Sequence, residues 1–297
     1  MRVVTLLPAA TEIVAAVGGA GHLVGISHEC DYPAAVQRLP RVTVSSIDPR
    51  VSGAKIDAQV RRLRDSGLPV IGIDAEQLQK LRPDLIITQE LCEVCAVANG
   101  EAHRLSAAIH PSPTVLSLAA RDLAGIWRDI REVGAALGLE GEAEELIVGL
   151  QVRMRRLSSV RPATRPQVLC VEWLDPLYLG GHWVPELVTA AGGEDIGAFP
   201  GSHSARREWG EMSELRPDHV VVMLCGFWID RARAELDAMT NPEALDLLRR
   251  VPTWIIDGNQ YTSRPGPRVV DGAERIQAAI SGCTGEEVER WRPAAHS

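Results

Sequence analysis

One tetrapeptide occurs twice, each time just before an apolar run: Leu81-Arg82-Pro83-Asp84 and Leu215-Arg216-Pro217-Asp218. Proline disfavours helical backbone in the residue before it, so each copy should end a helix and launch a strand. Two further patterns repeat in the same order. Pro113-Thr114-Val115 returns as Pro252-Thr253-Trp254, and a strand, a proline, a helix and a Gly-Gly pair run from Val3 to Gly19 and again from Val168 to Gly193. Repetition in one order points to two similar halves, the alternative being that such four-residue turns recur by chance in an α/β protein.

Short β-branched runs alternate with helical patterns, which is the mark of parallel α/β units. The expected strands of the first half are Val3–Leu7, Leu23–Ile26, Val70–Ile73, Leu85–Thr88 and Val115–Leu118. Those of the second half are Val168–Trp173, His219–Leu224 and Trp254–Asp257. Between them lies a largely helical stretch, Asp122 to Ser158, broken at Gly138 and Gly141, with Ala143, Leu146, Ile147, Leu150 and Met154 at helical spacing. The expected fold class is α/β, with two Rossmann-like lobes of parallel-rich sheets joined by a long backbone helix. The lobes are residues 1–120 and 161–297, and the helical segment is 121–160. Ligands of such folds bind in crevices at the carboxyl ends of strands and at domain interfaces, so a cleft between the lobes is the expected site.

Composition removes several function classes. A formal net charge of -8 leaves no basic excess to neutralise phosphates, so no nucleic-acid partner is expected. No run of apolar residues is long enough to span a bilayer, so no membrane insertion is expected. Pro8, Thr11 and Glu12 interrupt the apolar start, which reads as a first strand and helix and not as a leader. The location that follows is cytoplasmic, or periplasmic or extracytoplasmic if a leader has been removed. Neither a glycine-rich phosphate loop nor a Gly-x-Ser-x-Gly elbow occurs, and no enzyme is expected.

Seven tryptophans against two phenylalanines and three tyrosines point to stacking on a flat ligand. Trp173, Tyr178, Trp183, Trp209, Trp228 and Tyr261 fall in expected loops and offer such faces, whereas Trp127 and Trp254 fall on a helix and a strand and read as packing.

The opening Val3-Val4-Thr5-Leu6-Leu7-Pro8-Ala9-Ala10-Thr11-Glu12-Ile13 resembles that of the vitamin B12-binding proteins of ABC importers, which are class III substrate-binding proteins. The likeness continues through Val24-Gly25-Ile26-Ser27, Asp31-Tyr32-Pro33, both Leu-Arg-Pro-Asp copies, Gly192-Gly193-Glu194-Asp195-Ile196 and Ser263-Arg264-Pro265-Gly266-Pro267-Arg268. The resemblance implies a ligand, cobalamin or a related corrinoid, held by loops after the strands. Glu172, Gln89, His182 and Arg264 would bond its peripheral amides, Trp209 would pack on it, and Arg264 would contact it. An ABC importer or a corrinoid-handling protein would be the partner. Where the family has first-lobe aromatics this chain has Glu29, Ser45 or Ser46, and Gln89, so this face is more polar.

The same face carries His28-Glu29-Cys30 and Cys92-Glu93-Val94-Cys95. Three readings stand. The thiols are inert; or His28, Cys30, Cys92 and Cys95 form a four-ligand set suited to zinc or iron; or a thiol or imidazole here meets the ligand, coordinating cobalt or switching redox state. The second makes the protein a metal, haem or metal-chelate binder. His203 lies where it could reach an axial position. Cys170 and Cys225 sit in apolar runs and read as small buried residues.

Overall fold

A computed structural model of the chain describes residues 1–90, 99–159, 164–285 and 287–293. It divides into two compact units. The first comprises Met1–Val51, Lys55–Ala120 and Ala124–Gly149, and the second Ser52–Ala54, Arg121–Leu123 and the chain from Leu150 onward. One continuous helix, Glu140–Ser159, has residues in both.

The first unit holds β1 (Val3–Thr5), β2 (Leu23–Gly25), β3 (Thr43–Ser45), β4 (Ile71–Ile73), β5 (Leu85–Gln89) and β6 (Thr114–Leu118). Four of them make a parallel sheet in the order β2-β1-β5-β6. Both β1 and β5 are buried along their whole length, which is why they read as continuous apolar runs and do not alternate. The run at Val70–Ile73, expected in the parallel series, instead pairs antiparallel with β3 in a separate two-stranded sheet.

The second unit holds β7 (Gln167–Leu174), β8 (Leu177–Leu179), β9 (Glu194–Asp195), β10 (Arg206–Arg207), β11 (His219–Val222), β12 (Thr253–Ile256) and β13 (Val288–Trp291). Strand β7 is long enough to take two partners on one side. Its first two residues pair parallel with β9, and its far end pairs antiparallel with β8. On its other side lie β11 and β12, both parallel, and then β13, antiparallel. The path β9-β7-β11-β12 therefore reproduces β2-β1-β5-β6.

Between the sheets in sequence lie the helices Leu123–Leu137 and Glu140–Ser159. Gly138, at φ +70°, takes the left-handed conformation that ends the first, and the Leu139 N–H closes back on the Gly134 carbonyl at 2.8 Å. Gly141, expected as a second break, lies in the first turn of the next helix. Trp127 is buried on its helix, and Trp254 is buried on β12 with its indole N–H donated to His219 Nδ1 at 3.2 Å, as core packing requires.

The repeated tetrapeptide does the same work in each unit. Arg82 and Arg216 adopt left-handed φ of 42° and 51°, turning the chain at the proline. Asp84 Oδ2 then accepts the Arg2 N–H at 2.7 Å, while the Asp84 N–H returns to the Arg2 carbonyl at 2.8 Å. Asp218 and Gln167 repeat both bonds at 2.7 and 2.8 Å. Each aspartate thus pins the start of the central strand beside it and sets the register. Asp84→Ala should lower the urea unfolding midpoint by the equivalent of about 1 kcal/mol, and Asp84→Asn by less, because an amide oxygen still accepts the strand N–H.

Candidate functional site

In the first unit β1, β2, β5 and β6 run the same way, and in the second β7, β11 and β12 do; candidate residues lie on the last residues of these strands, on loops that follow them, and on and beyond β8. In the first unit β2 runs into Ser27, His28 and Glu29. The turn is closed by the Cys30 N–H bonding the Ser27 carbonyl at 3.2 Å, and Arg41 Nη1 also donates to that carbonyl at 2.8 Å. Glu29 is exposed, Ser46 is exposed with its N–H on the Val70 carbonyl at 2.8 Å, and Gln89 is the buried last residue of β5. Behind the loop after β6, Asp129 is buried and accepts the N–H groups of Ala119 and Ala120 at 3.3 and 3.0 Å. Burial raises its carboxyl to about 6.

His28 is held by three short contacts. Its backbone N–H donates to Thr43 Oγ1 at 2.9 Å, its Nδ1 lies 2.6 Å from the same oxygen, and that hydroxyl donates to Ser27 Oγ at 3.1 Å. Nε2 lies 3.9 Å from Glu29 Oε1, beyond hydrogen-bond distance. Burial, and then the positive charge of Arg41, lower the imidazole pKa, so the ring is neutral at pH 7. Cys30 turns the other way. It is 1% exposed, with Sγ 3.0 Å from Thr11 Oγ1, which in turn meets Thr5 Oγ1 at 2.6 Å. Cys92 and Cys95 lie outside the described residues, and among the described residues no three His, Cys, Asp or Glu side chains are grouped to hold a metal.

In the second unit, residues expected as a loop form β8, which makes Trp173 and Tyr178 cross-strand neighbours; both are half-buried. Trp173 donates its indole N–H to the Asp175 carbonyl at 3.1 Å and its ring sits 5.1 Å from that of Phe227, over which Arg231 lies at 4.5 Å. Glu172 accepts the Ser204 hydroxyl at 2.6 Å, and Trp228 is 49% exposed.

Three expected stacking faces are instead buried. Trp183 and Trp209 are each 4% exposed, with indole N–H groups bonded to the Thr262 carbonyl at 2.8 Å and the Leu174 carbonyl at 3.1 Å. Tyr261 is 5% exposed and donates its hydroxyl to Glu287, which also pairs with Arg275. Arg264 is likewise buried, one guanidinium nitrogen bonding Asn259 Oδ1 at 3.0 Å. Burial of the large aromatic rings is favourable, and carbonyl or carboxylate partners offset the desolvation of their N–H and O–H groups. Cys170 is buried as expected; Cys225 is only half-buried.

His182 has φ +54°, its ring 5.3 Å from His203 and 5.6 Å from Trp183. Its Nε2 is buried and bonds no described residue. Burial, then His203, then Arg121 lower its pKa. His203 is exposed. Sequence reasoning passed over Thr43, Ser204 and Phe227. The alternating run Val42-Thr43-Val44 after Pro40 was the available signal for Thr43; Ser204 and Phe227 carried none beyond lying near expected loops.

Two α/β units with polar and aromatic side chains on the loops after parallel strands define a solute receptor. The chain belongs to the periplasmic binding protein family, whose sequence profile matches residues 3–255; these receptors serve ABC transporters. Among solved structures the chain is similar to a periplasmic heme binding protein from Pseudomonas aeruginosa, with 22% identity, 99% of each chain covered and a TM-score of 0.72. It is similar to the heme-binding protein RhuT from Roseiflexus sp. RS-1, with 20% identity, 95% of this chain and 98% of that one covered, and a TM-score of 0.67. The vitamin B12 binding protein BtuF of Vibrio cholerae shares 19% identity over 94% of this chain and 96% of its own, with a TM-score of 0.60. None of the curated proteins matches the sequence. Among the described residues, no helix is long and apolar enough to cross a membrane.

Asp195 supports the loop that leads to His203. Its Oδ1 accepts the N–H groups of Gly197 and Ala198 at 2.8 and 3.1 Å, while Oδ2 is buried and unbonded among the described residues. Burial raises its carboxyl from 3.8 to about 6. Between those values the folded chain keeps a proton that the unfolded chain releases, so stability falls as pH rises through this window and stays lower above it. Asp195→Asn should therefore raise Tm at about pH 8 and give no gain near pH 4, as read by thermal melts across that range.

Proposed function

We propose that the protein is a receptor for cobalamin or a related corrinoid, and that the loops at the carboxyl edges of its two sheets are the ligand surfaces. The observation that carries this reading is the chemistry of those edges. Glu29, Ser46, Glu172 and Ser204 present neutral or acidic groups, Arg231 over Phe227 is paired with Glu235 at 3.2 Å, and Arg264 and Arg268 are buried, each with a guanidinium nitrogen on a side-chain amide oxygen. A corrinoid carries peripheral amides that such groups can bond. Haem carries carboxylates, which acidic groups repel. The half-buried Trp173 and the exposed Trp228 are the aromatic faces offered to the macrocycle.

Haem or another metal chelate is the second reading. It is favoured by the two heme-binding structures, which have higher TM-scores than the B12-binding one. In either case the receptor binds without transforming its ligand and hands it to an ABC importer or to another chelate-handling protein. Family membership favours work outside the cytoplasm, the second of the two locations weighed from the sequence; fractionation of the native cell checks it.

Titration with aquocobalamin, cyanocobalamin and haemin, followed by visible absorption and tryptophan fluorescence, tests the reading. Saturable binding of a corrinoid with greater affinity than haemin is expected. Tighter binding of haemin selects the second reading, and no change with any of the three rejects both. Trp173→Ala should weaken corrinoid binding about tenfold, the loss of one aromatic contact, with the circular dichroism spectrum unchanged.

A further inference from the structure

The bonds around His28 decide which of its nitrogens carries a proton. A threonine hydroxyl has one hydrogen, and Thr43 spends it on Ser27 Oγ at 3.1 Å. With that hydrogen on Ser27, the oxygen accepts from the imidazole 2.6 Å away, an arrangement that favours the tautomer with Nδ1 protonated and the lone pair on Nε2. The backbone N–H of His28, on the same Thr43 oxygen at 2.9 Å, fixes the loop that carries the ring. The side chain is 24% exposed, no described residue bonds Nε2, and the ring lies on the loop leaving the carboxyl end of β2. A ring oriented through one nitrogen, with the other open, is the arrangement of a metal-ligating histidine, whose hydroxyl or carboxylate partner sets tautomer and direction.

The other histidines of the candidate site lack this arrangement. Nε2 of His182 is sealed from solvent, and His203 is exposed with its ring edge-on to His182. Cys30 is 1% exposed, with Sγ 3.0 Å from Thr11 Oγ1.

We infer that His28 is the axial ligand to the metal of the bound chelate, with Thr43 and Ser27 as its positioning residues. The step is a ligand exchange. The Nε2 lone pair forms a bond to the metal, a coordinated water leaves with its own electron pair, and the oxidation state does not change. The inference rests on the proposed function, and it names the residue that recognises the metal where the macrocycle edges recognise only the ring.

The test uses the full chain and aquocobalamin. The wild type should move the visible bands to those of aquocobalamin in excess free imidazole. His28→Ala should bind with the water-ligated spectrum retained and an affinity about tenfold lower. Thr43→Val should weaken the shifted complex about tenfold, and Thr43→Ser should preserve it. Corrinoid bound by the wild type with an unshifted spectrum overturns this inference alone, as does a shift that survives in His28→Ala or is lost in His203→Ala. Failure to bind any corrinoid or haemin in equilibrium dialysis overturns the proposed function and the inference with it. Two readouts need no ligand. Nitrogen NMR of the apo-protein should find Nε2 of His28 unprotonated, and a protonated Nε2 overturns the assignment. Stoichiometric zinc in the protein as isolated, lost in His28→Ala, also overturns it, because the lone pair would then serve a resident ion.

Discussion

The main sheet of each unit is organised around one carboxylate bonded to a backbone N–H at the start of a neighbouring strand. Asp84 holds Arg2 beside β5, and Asp218 holds Gln167 beside β11, with matching distances. In a parallel sheet a slip of one residue would turn every side chain to the opposite face, and short strands such as β1 have few other contacts to prevent it. Because this contact aligns the strand starts, the strand ends also align. His28 follows β2, Gln89 ends β5, Trp173 lies near the end of β7, and Phe227 lies on the loop after β11.

The edges then differ in how they are furnished. In the first unit a polar chain, Ser27 to Thr43 to His28, orients a neutral imidazole, while the neighbouring cysteine is drawn into contact with Thr11. In the second, tight packing consumes several aromatic rings whose N–H or O–H groups reach buried acceptors, leaving Trp173, Tyr178 and Trp228 the more accessible. A tryptophan count therefore overstates a stacking surface, because a buried indole with a carbonyl partner is as stable an outcome as an open one.

The parallel strands other than the two-residue β9 were legible because buried strands need uninterrupted β-branched runs, and because Arg-Pro-Asp marks where two of them start. Strands β3, β8 and β13 were not, since each is short and antiparallel and exists through its partner. The pairing of β3 with β4 also brings Thr43 into position, so the contact that orients His28 depends on an element that local pattern did not announce. Gly141 shows the converse error. A glycine breaks a helix only where a left-handed turn is needed, as at Gly138, and is tolerated in a first turn.

Local order in the chain determined the α/β class, the internal repeat, most strand positions and the loops on which candidate residues fall, because these depend on periodicity and on proline and glycine geometry along the backbone. Tertiary structure alone decided which side chains on those loops face outward, which partner each polar atom takes, and which nitrogen of His28 meets Thr43. Those outcomes are set by groups far apart in sequence competing for the same buried donors and acceptors, and no local pattern encodes that competition.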